Sequence, residues 1–151
     1  MTLDSIDERL LAELQRDSTQ TSEGLGGRLG LSGSQVARRR QRLEAEGYIL
    51  GYGARVSPEK LGLGVQAFVS VQMASQEPKA ARALQALVAA TPEIVSAWTL
   101  TGEADYLLRV WCEDLKALNR LIHQSLLPHP AVSRVHSQIV MDHFKPDAPL
   151  P

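Results

Sequence analysis

The sequence predicts an α+β chain of two small domains, one helical and one built on an antiparallel sheet. Two observations carry this. Up to Leu43 the apolar residues recur at helical spacing, and from Val65 onward alternating runs are interleaved with two further helical patterns. With 151 residues, 44% of them hydrophobic, the chain is long enough for two modest cores.

Leu3, Ile6, Leu10, Leu11 and Leu14 mark the first helix, with Asp4 as its N-cap, Asp7 three residues on, and an end near Asp17. Thr21 or Ser22 then caps a short second helix carrying Leu25 and Leu29. Gly24, Gly26 and Gly27 lie inside it, each costing about 1 kcal/mol relative to alanine. Small residues also let helices approach closely, so the glycines read as packing permission. The pattern stops at Leu29-Gly30-Leu31, and a third helix opens at Ser32-Gly33-Ser34, where a hydroxyl can accept from first-turn N–H groups. A helix, a tight glycine-bearing turn and a helix follow one another.

On a 3.6-residue wheel the third helix places Val36, Arg40, Leu43 and Gly47 on a packing side and Gln35, Arg38, Arg39 and Arg42 on the other. Residues 24–43 hold five arginines and no acidic residue, which suits a recognition helix meeting phosphates and base edges. The expected partner is double-stranded DNA. Gln35 and Arg38 are expected at base edges, where amide and guanidinium groups bond in bidentate fashion. Arg39 and Arg42, with the Ser32 and Ser34 hydroxyls, are expected at phosphates. The net charge of −1 does not oppose this, because charge is sorted locally: acids crowd the first helix and arginines the third.

After Gly47 a β-prone run, residues 48–56, is bent by glycines and followed by Pro58, which marks a hinge. Val65, Ala67, Val69, Val71 and Met73 alternate with Gln66, Phe68, Ser70 and Gln72 as a strand. Ala80, Ala83, Leu84, Leu87, Val88 and Thr91 return to helical spacing. Strands are expected at residues 94–100 and 106–112, then a helix capped by Asp114 with Leu115, Leu118, Ile122 and Leu126 on one face, and a last strand at 132–141. This order, βαββαβ, is the ferredoxin-like plan. Its uncovered face, with Phe68, Trp98 and Trp111, is apolar enough to predict pairing of two copies through the sheet. The expected divisions are a helix-turn-helix domain at 1–50, a β hinge at 51–63, a ferredoxin-like domain at 64–145 and a tail at 146–151.

The turn at 101–106 is a second candidate site. Gly102 reaches backbone angles closed to other residues, while Thr101, Glu103 and Asp105 offer a hydroxyl and carboxylates able to hold the two ends of a free amino acid. A plain turn stabilised by Asp105 is the simpler alternative.

Taken together, Leu3-Asp4-x-x-Asp7, Leu14-Gln15-x-Asp17, Gly30-Leu31-Ser32-x-Ser34-x-Val36, Arg38-Arg39 with Arg42-Leu43-Glu44, Gly47-x-Ile49-x-Gly51-Tyr52, Thr101-Gly102-x-x-Asp105-Tyr106-Leu107-Leu108 and Ile139-Val140-Met141 resemble the Lrp/AsnC, or feast/famine, transcription regulators over nearly the whole chain. The resemblance implies a winged helix-turn-helix joined to a RAM-type effector domain, in dimers that combine into tetramers or octamers. It also implies an amino-acid effector near the 101–106 turn, with Tyr106 and Ser137 as neighbours. Two stretches depart from the family pattern: Arg40 stands where an aliphatic residue is usual, and Gly24-Leu25-Gly26 where Glu-Leu-Ala is usual.

Other readings are weaker. Siroheme decarboxylases resemble the same two-domain plan, but His123, His129, His136 and His143 match no metal-ligand spacing. No phosphate loop or Ser-His-Asp set is identifiable, so no catalytic residues, metal or cofactor are expected. A sensor that has lost DNA binding is the third alternative. The lone Cys112, the lack of an apolar run of membrane length and the polar N-terminus predict a cytoplasmic, nucleoid-associated protein without membrane contact.

Overall fold

The computed structural model describes residues 3–151, which divide into two compact units. One extends up to Arg55 and includes Phe144–Pro151; the other is Val56–His143.

The first unit contains α1 (Ser5–Arg16), α2 (Ser22–Leu29) and α3 (Gly33–Ala45). Each opens on a residue that satisfies its free first-turn amides. The Asp4 carboxylate accepts from the Ile6 and Asp7 amides, Thr21 accepts from the Gly24 amide, and Ser32 accepts from the Gln35 amide. Between α2 and α3, Gly30 turns the chain at φ +71°, a left-handed conformation that side chains disfavour. Leu10, Leu14, Leu25, Leu29, Val36 and Leu43 form the core. Gly26 lies so close to the turn that a Cβ there would stand 2.5 Å from the Leu31 carbonyl oxygen, so the packing permission is real at this glycine. At Gly27 a Cβ would meet open space.

Residues 48–56 form no strand. The β-branched and aromatic residues there favour extended backbone, but no neighbouring strand is present among the described residues to complete a ladder. Phe144–Pro151 group with the first unit, where the Leu150 amide donates to Gln15 Oε1 at 2.7 Å.

The second unit runs β1 (Val65–Met73), α4 (Pro78–Ala90), β2 (Ile94–Thr99), β3 (Tyr106–Cys112), α5 (Leu115–Arg120) and β4 (Val132–Ile139). The antiparallel sheet has the order β2-β3-β1-β4, which is the ferredoxin-like topology. Ala67, Val69, Val71, Leu108 and Val110 point to one face and are sealed by Leu84 of α4 and Leu118 of α5. Past Arg120 the helix widens into a π-type turn at Leu121–Leu126. Leu118, Leu121 and Leu126 are buried and Ile122 packs beside them, whereas Leu115, expected on that face, stands at the first position of α5 and is 58% exposed. The other face of the sheet carries Phe68, Leu107 and Trp111, all half-buried, with Trp98 44% exposed, around Arg109. Arg109 donates to Ser96 Oγ, and its Nε is buried without a hydrogen-bond partner among the described residues.

Candidate nucleic-acid interface and effector loop

The arginines of α3 do not share one fate. Arg39 donates to Asp4 Oδ2 and Asp7 Oδ1, both at 2.7 Å, and Arg42 donates to Asp7 Oδ2 at 2.5 Å. Asp7 is 1% exposed, so a buried carboxylate on α1 receives two guanidinium groups from α3. The Arg39 guanidinium, and then the Asp7 amide, hold the Asp4 carboxyl below its usual range. The helical wheel set Arg39 and Arg42 on an outward stripe. In the structure their long stems carry the charges round to α1, which offers acids where α3 offers bases.

Arg40 takes a third course. Its Nε donates to Tyr52 Oη at 2.8 Å, its guanidinium lies 4.4 Å from the centre of the Tyr52 ring, and Tyr52 donates to Glu44 Oε1 at 2.7 Å. Burial, and after it the Glu44 carboxylate, push the Tyr52 phenol up. Arg40 therefore ends on an aromatic face, with its charge shared between the Tyr52 ring and the Glu44 carboxylate.

Only Arg38 of this group is exposed and without an ion pair to any described residue. Ser34 and Gln41 are exposed with it; the spacing of four and three residues makes a stripe along α3. Gln41 stands three residues after Arg38, and that spacing alone sets it on the same stripe. Gln35 is exposed, yet its side-chain oxygen accepts from the Ser32 amide at 2.9 Å, closing a capping box. Ser32 Oγ caps the helix and lies 3.0 Å from Ser34 Oγ.

In the 101–106 turn, Thr101, Gly102 and Glu103 are exposed and Gly102 sits at φ +109°. Asp105 is committed to the fold. Its Oδ2 accepts from the Met73 amide at 2.7 Å, its Oδ1 from Gln76 Nε2 at 3.0 Å, and its own amide donates to the Val71 carbonyl. The Met73 amide, and then Gln76, hold its carboxyl below the usual range. That stabilisation is present above the unfolded carboxylate value and is lost as pH falls through the lower folded value. Between about pH 5 and pH 2, the stability difference between the wild type and Asp105→Asn is therefore expected to shrink. Urea unfolding at a series of pH values measures it, and a difference independent of pH would contradict the assignment.

The turn residues do not converge on one cavity. Glu103 borders a cavity of about 350 Å³ on the uncovered sheet face, with Ser70, Gln72, Ala104, Arg134 and His136. Tyr106 lines a different groove, about 190 Å³, with Leu84, Val88 and Trp98. Ser137 is exposed and pairs with inward-facing Val69, so strand alternation turns it away from the Glu103 cavity. Among the described residues no group of three or more His, Cys, Asp or Glu side chains is placed to hold a metal ion, and no helix is long and apolar enough to cross a membrane.

Residues 3–44 match the AsnC-type helix-turn-helix domain and residues 66–150 the Lrp/AsnC ligand binding domain. The chain is 34% identical over 149 residues to the DNA-binding transcriptional activator DecR of Escherichia coli K12, covering 99% of this chain and 98% of that protein. It is 33% identical to the leucine-responsive regulatory protein of Salmonella typhimurium, covering 95% and 87% of the two chains. The transcriptional regulator NMB0573 of Neisseria meningitidis, solved as a complex with L-Met, superposes with a TM-score of 0.94 at 36% identity, over 99% of this chain and 97% of that one. Helix-turn-helix geometry, sheet topology and these likenesses over nearly the full length agree: the chain belongs to the Lrp/AsnC family of DNA-binding transcriptional regulators.

Proposed function

We propose that the protein reads double-stranded DNA through Ser34, Arg38 and Gln41 of α3 and changes its regulatory output when a free amino acid binds the second unit. The observation that carries this is the division of labour on α3. Arg38 and Gln41 stand in solvent with base-reading chemistry, while Arg39 and Arg42 are held on Asp4 and Asp7. On this reading Arg39 and Arg42 set the pose of the helix, and Ser32 and Gln35 serve its first turn. The expected phosphate contacts of Arg39 and Arg42 become secondary, since a phosphate would have to displace carboxylates already in place.

Arg38→Ala is then expected to weaken binding to the preferred sequence by about tenfold or more, with relaxed preference and an unchanged melting temperature. Arg39→Ala is expected to lower the melting temperature first. Fluorescence anisotropy on genomic fragments, beside thermal unfolding, separates the two. A drop in melting temperature for Arg38→Ala, or none for Arg39→Ala, would contradict the division.

The regulatory reading is favoured over a decarboxylase-like enzyme because the matched relatives are named as regulators, and over a sensor without DNA binding because Arg38 and Gln41 remain exposed. The amino-acid effector is supported by the match to a ligand binding domain and by the L-Met complex of the Neisseria regulator. Two copies are proposed to associate through the sheet face bearing Phe68, Trp98, Leu107 and Trp111, and dimers to combine further, acting on cytoplasmic nucleoid DNA. Light scattering on the full chain, with and without amino acids, tests the assembly. A monomer at all concentrations would remove it.

A further inference from the structure

A groove of about 410 Å³ on the first unit is lined by Leu11, Leu14 and Gln15 of α1, by residues 48–53, Tyr48 and Tyr52 among them, and by Leu150. It is met by its own chain. Residues 144–151 carry Pro146, Pro149 and Pro151 and form neither helix nor strand. Proline holds φ at about −65° and has no N–H, and the extended polyproline II backbone it favours makes no internal hydrogen bonds. Leu150, between Pro149 and Pro151, therefore holds the one amide donor of residues 149–151, with no acceptor inside its own segment. Gln15 Oε1 supplies one at 2.7 Å. Leu150 is 78% exposed, so the segment rests on the groove without filling it, and a contact this shallow is easily released. Tyr52 reaches the other way. Its Oη accepts from Arg40 Nε at 2.8 Å and donates to Glu44 Oε1 at 2.7 Å, and both partners belong to α3. One side chain thus joins the groove to the reading helix.

We infer that residues 144–151 are a releasable ligand of their own reading unit: seated in the groove, they hold residues 48–53 against α1 and, through Tyr52, keep α3 in its DNA-binding pose. The inference rests on the DNA-reading role of α3 proposed above and adds a segment that regulates it. Grooves lined by aromatic residues take proline-rich segments because these are extended before they dock and lose little freedom on docking. A segment of the same chain is favoured over another protein's peptide because covalent attachment keeps it at high local concentration, and the Gln15 contact already seats it.

The test is fluorescence anisotropy on genomic fragments with variants of the full chain. Gln15→Ala removes the acceptor, Leu150→Asp sets a charge against the apolar lining, and Tyr52→Phe keeps the ring but removes the hydroxyl that bonds α3. Gln15 and Leu150 are exposed, so their replacement leaves the core intact. Each of these two changes is expected to weaken DNA binding about threefold to tenfold, the equivalent of one hydrogen bond, and by less than about twofold when Tyr52→Phe is already present. The NMR amide signals of Gly51 and Gly53 are expected to shift in both. Unmoved signals would overturn the docking. Unchanged DNA affinity would overturn the regulatory role, and equal losses with and without Tyr52→Phe would overturn the route through Tyr52. Co-refolded Gln15→Ala and Leu150→Asp chains hold no intact groove and segment within one chain, but do hold them between chains. Recovery of DNA affinity in that mixture would assign the segment to a second copy and overturn docking within the chain. Failure of the wild type to bind DNA would overturn the α3 reading, while the amide signals still decide the docking.

Discussion

Asp7→Asn is expected to lower the stability of the first unit by about 2–3 kcal/mol. Removing one partner of a fully buried ion pair costs about 3–5 kcal/mol, because the remaining charge is left without compensation. Here the carboxylate is buried, but the Arg39 and Arg42 side chains are 23% and 35% exposed, so water screens part of that cost. Asparagine has nearly the same shape, so the loss reports charge and not a cavity. Buried Arg42 Nε already lacks a hydrogen-bond partner among the described residues, which leaves this cation dependent on its contact with Asp7. Chemical denaturation of Asp7→Asn and Asp4→Asn measures the effect. The Asp4 carboxylate is more exposed and touches Arg39 alone of the two arginines, so its replacement is expected to cost less. Equal losses from the two would contradict the account.

Two adjacent glycines of α2 are expected to respond with opposite signs. In an exposed helical position, alanine is preferred to glycine by about 1 kcal/mol, and at Gly27 nothing obstructs a methyl group. Gly27→Ala is therefore expected to raise stability by about 0.5–1 kcal/mol. At Gly26 the methyl would meet the Leu31 carbonyl, a backbone atom that moves only if the turn moves. Overpacking of this kind costs about 1–3 kcal/mol, more than the helical gain returns. Since that turn positions Ser32 at the start of α3, Gly26→Ala is also expected to weaken DNA binding more than its stability loss alone accounts for. Thermal unfolding of both variants, with anisotropy on the folded fraction, checks this. A stabilising Gly26→Ala would sink the close-approach argument.

The framework was legible because each element states itself locally. Asp4, Thr21 and Ser32 cap where capping chemistry requires, and Val65, Ala67, Val69, Val71 and Met73 alternate because one face of the sheet is sealed by helices. What the sequence conceals is long-range. Nothing near Arg39 shows that its partners lie 35 and 32 residues earlier, so a wheel drawn on α3 alone sees an outward arginine. The π-type turn at Leu121–Leu126 escapes detection for a similar reason, since the helical spacing of Leu118 and Ile122 reads the same with or without it. Strand propensity at residues 48–56 is real, but a strand needs a neighbour, and propensity is silent on that. The turn at 101–106 gave its glycine and its carboxylates. It could not give Arg134 and His136, which reach the same cavity through strand register.

The carboxylate shared by two arginines bears on attempts to alter what the protein reads. Transplanting the whole of α3 from a relative would import guanidinium positions tuned to another scaffold's α1 and strand Asp7 inside the protein. On the proposed reading, exchanging residues 34, 38 and 41 while retaining Arg39 and Arg42 is expected to rewrite the lettering and leave the spine of the book intact.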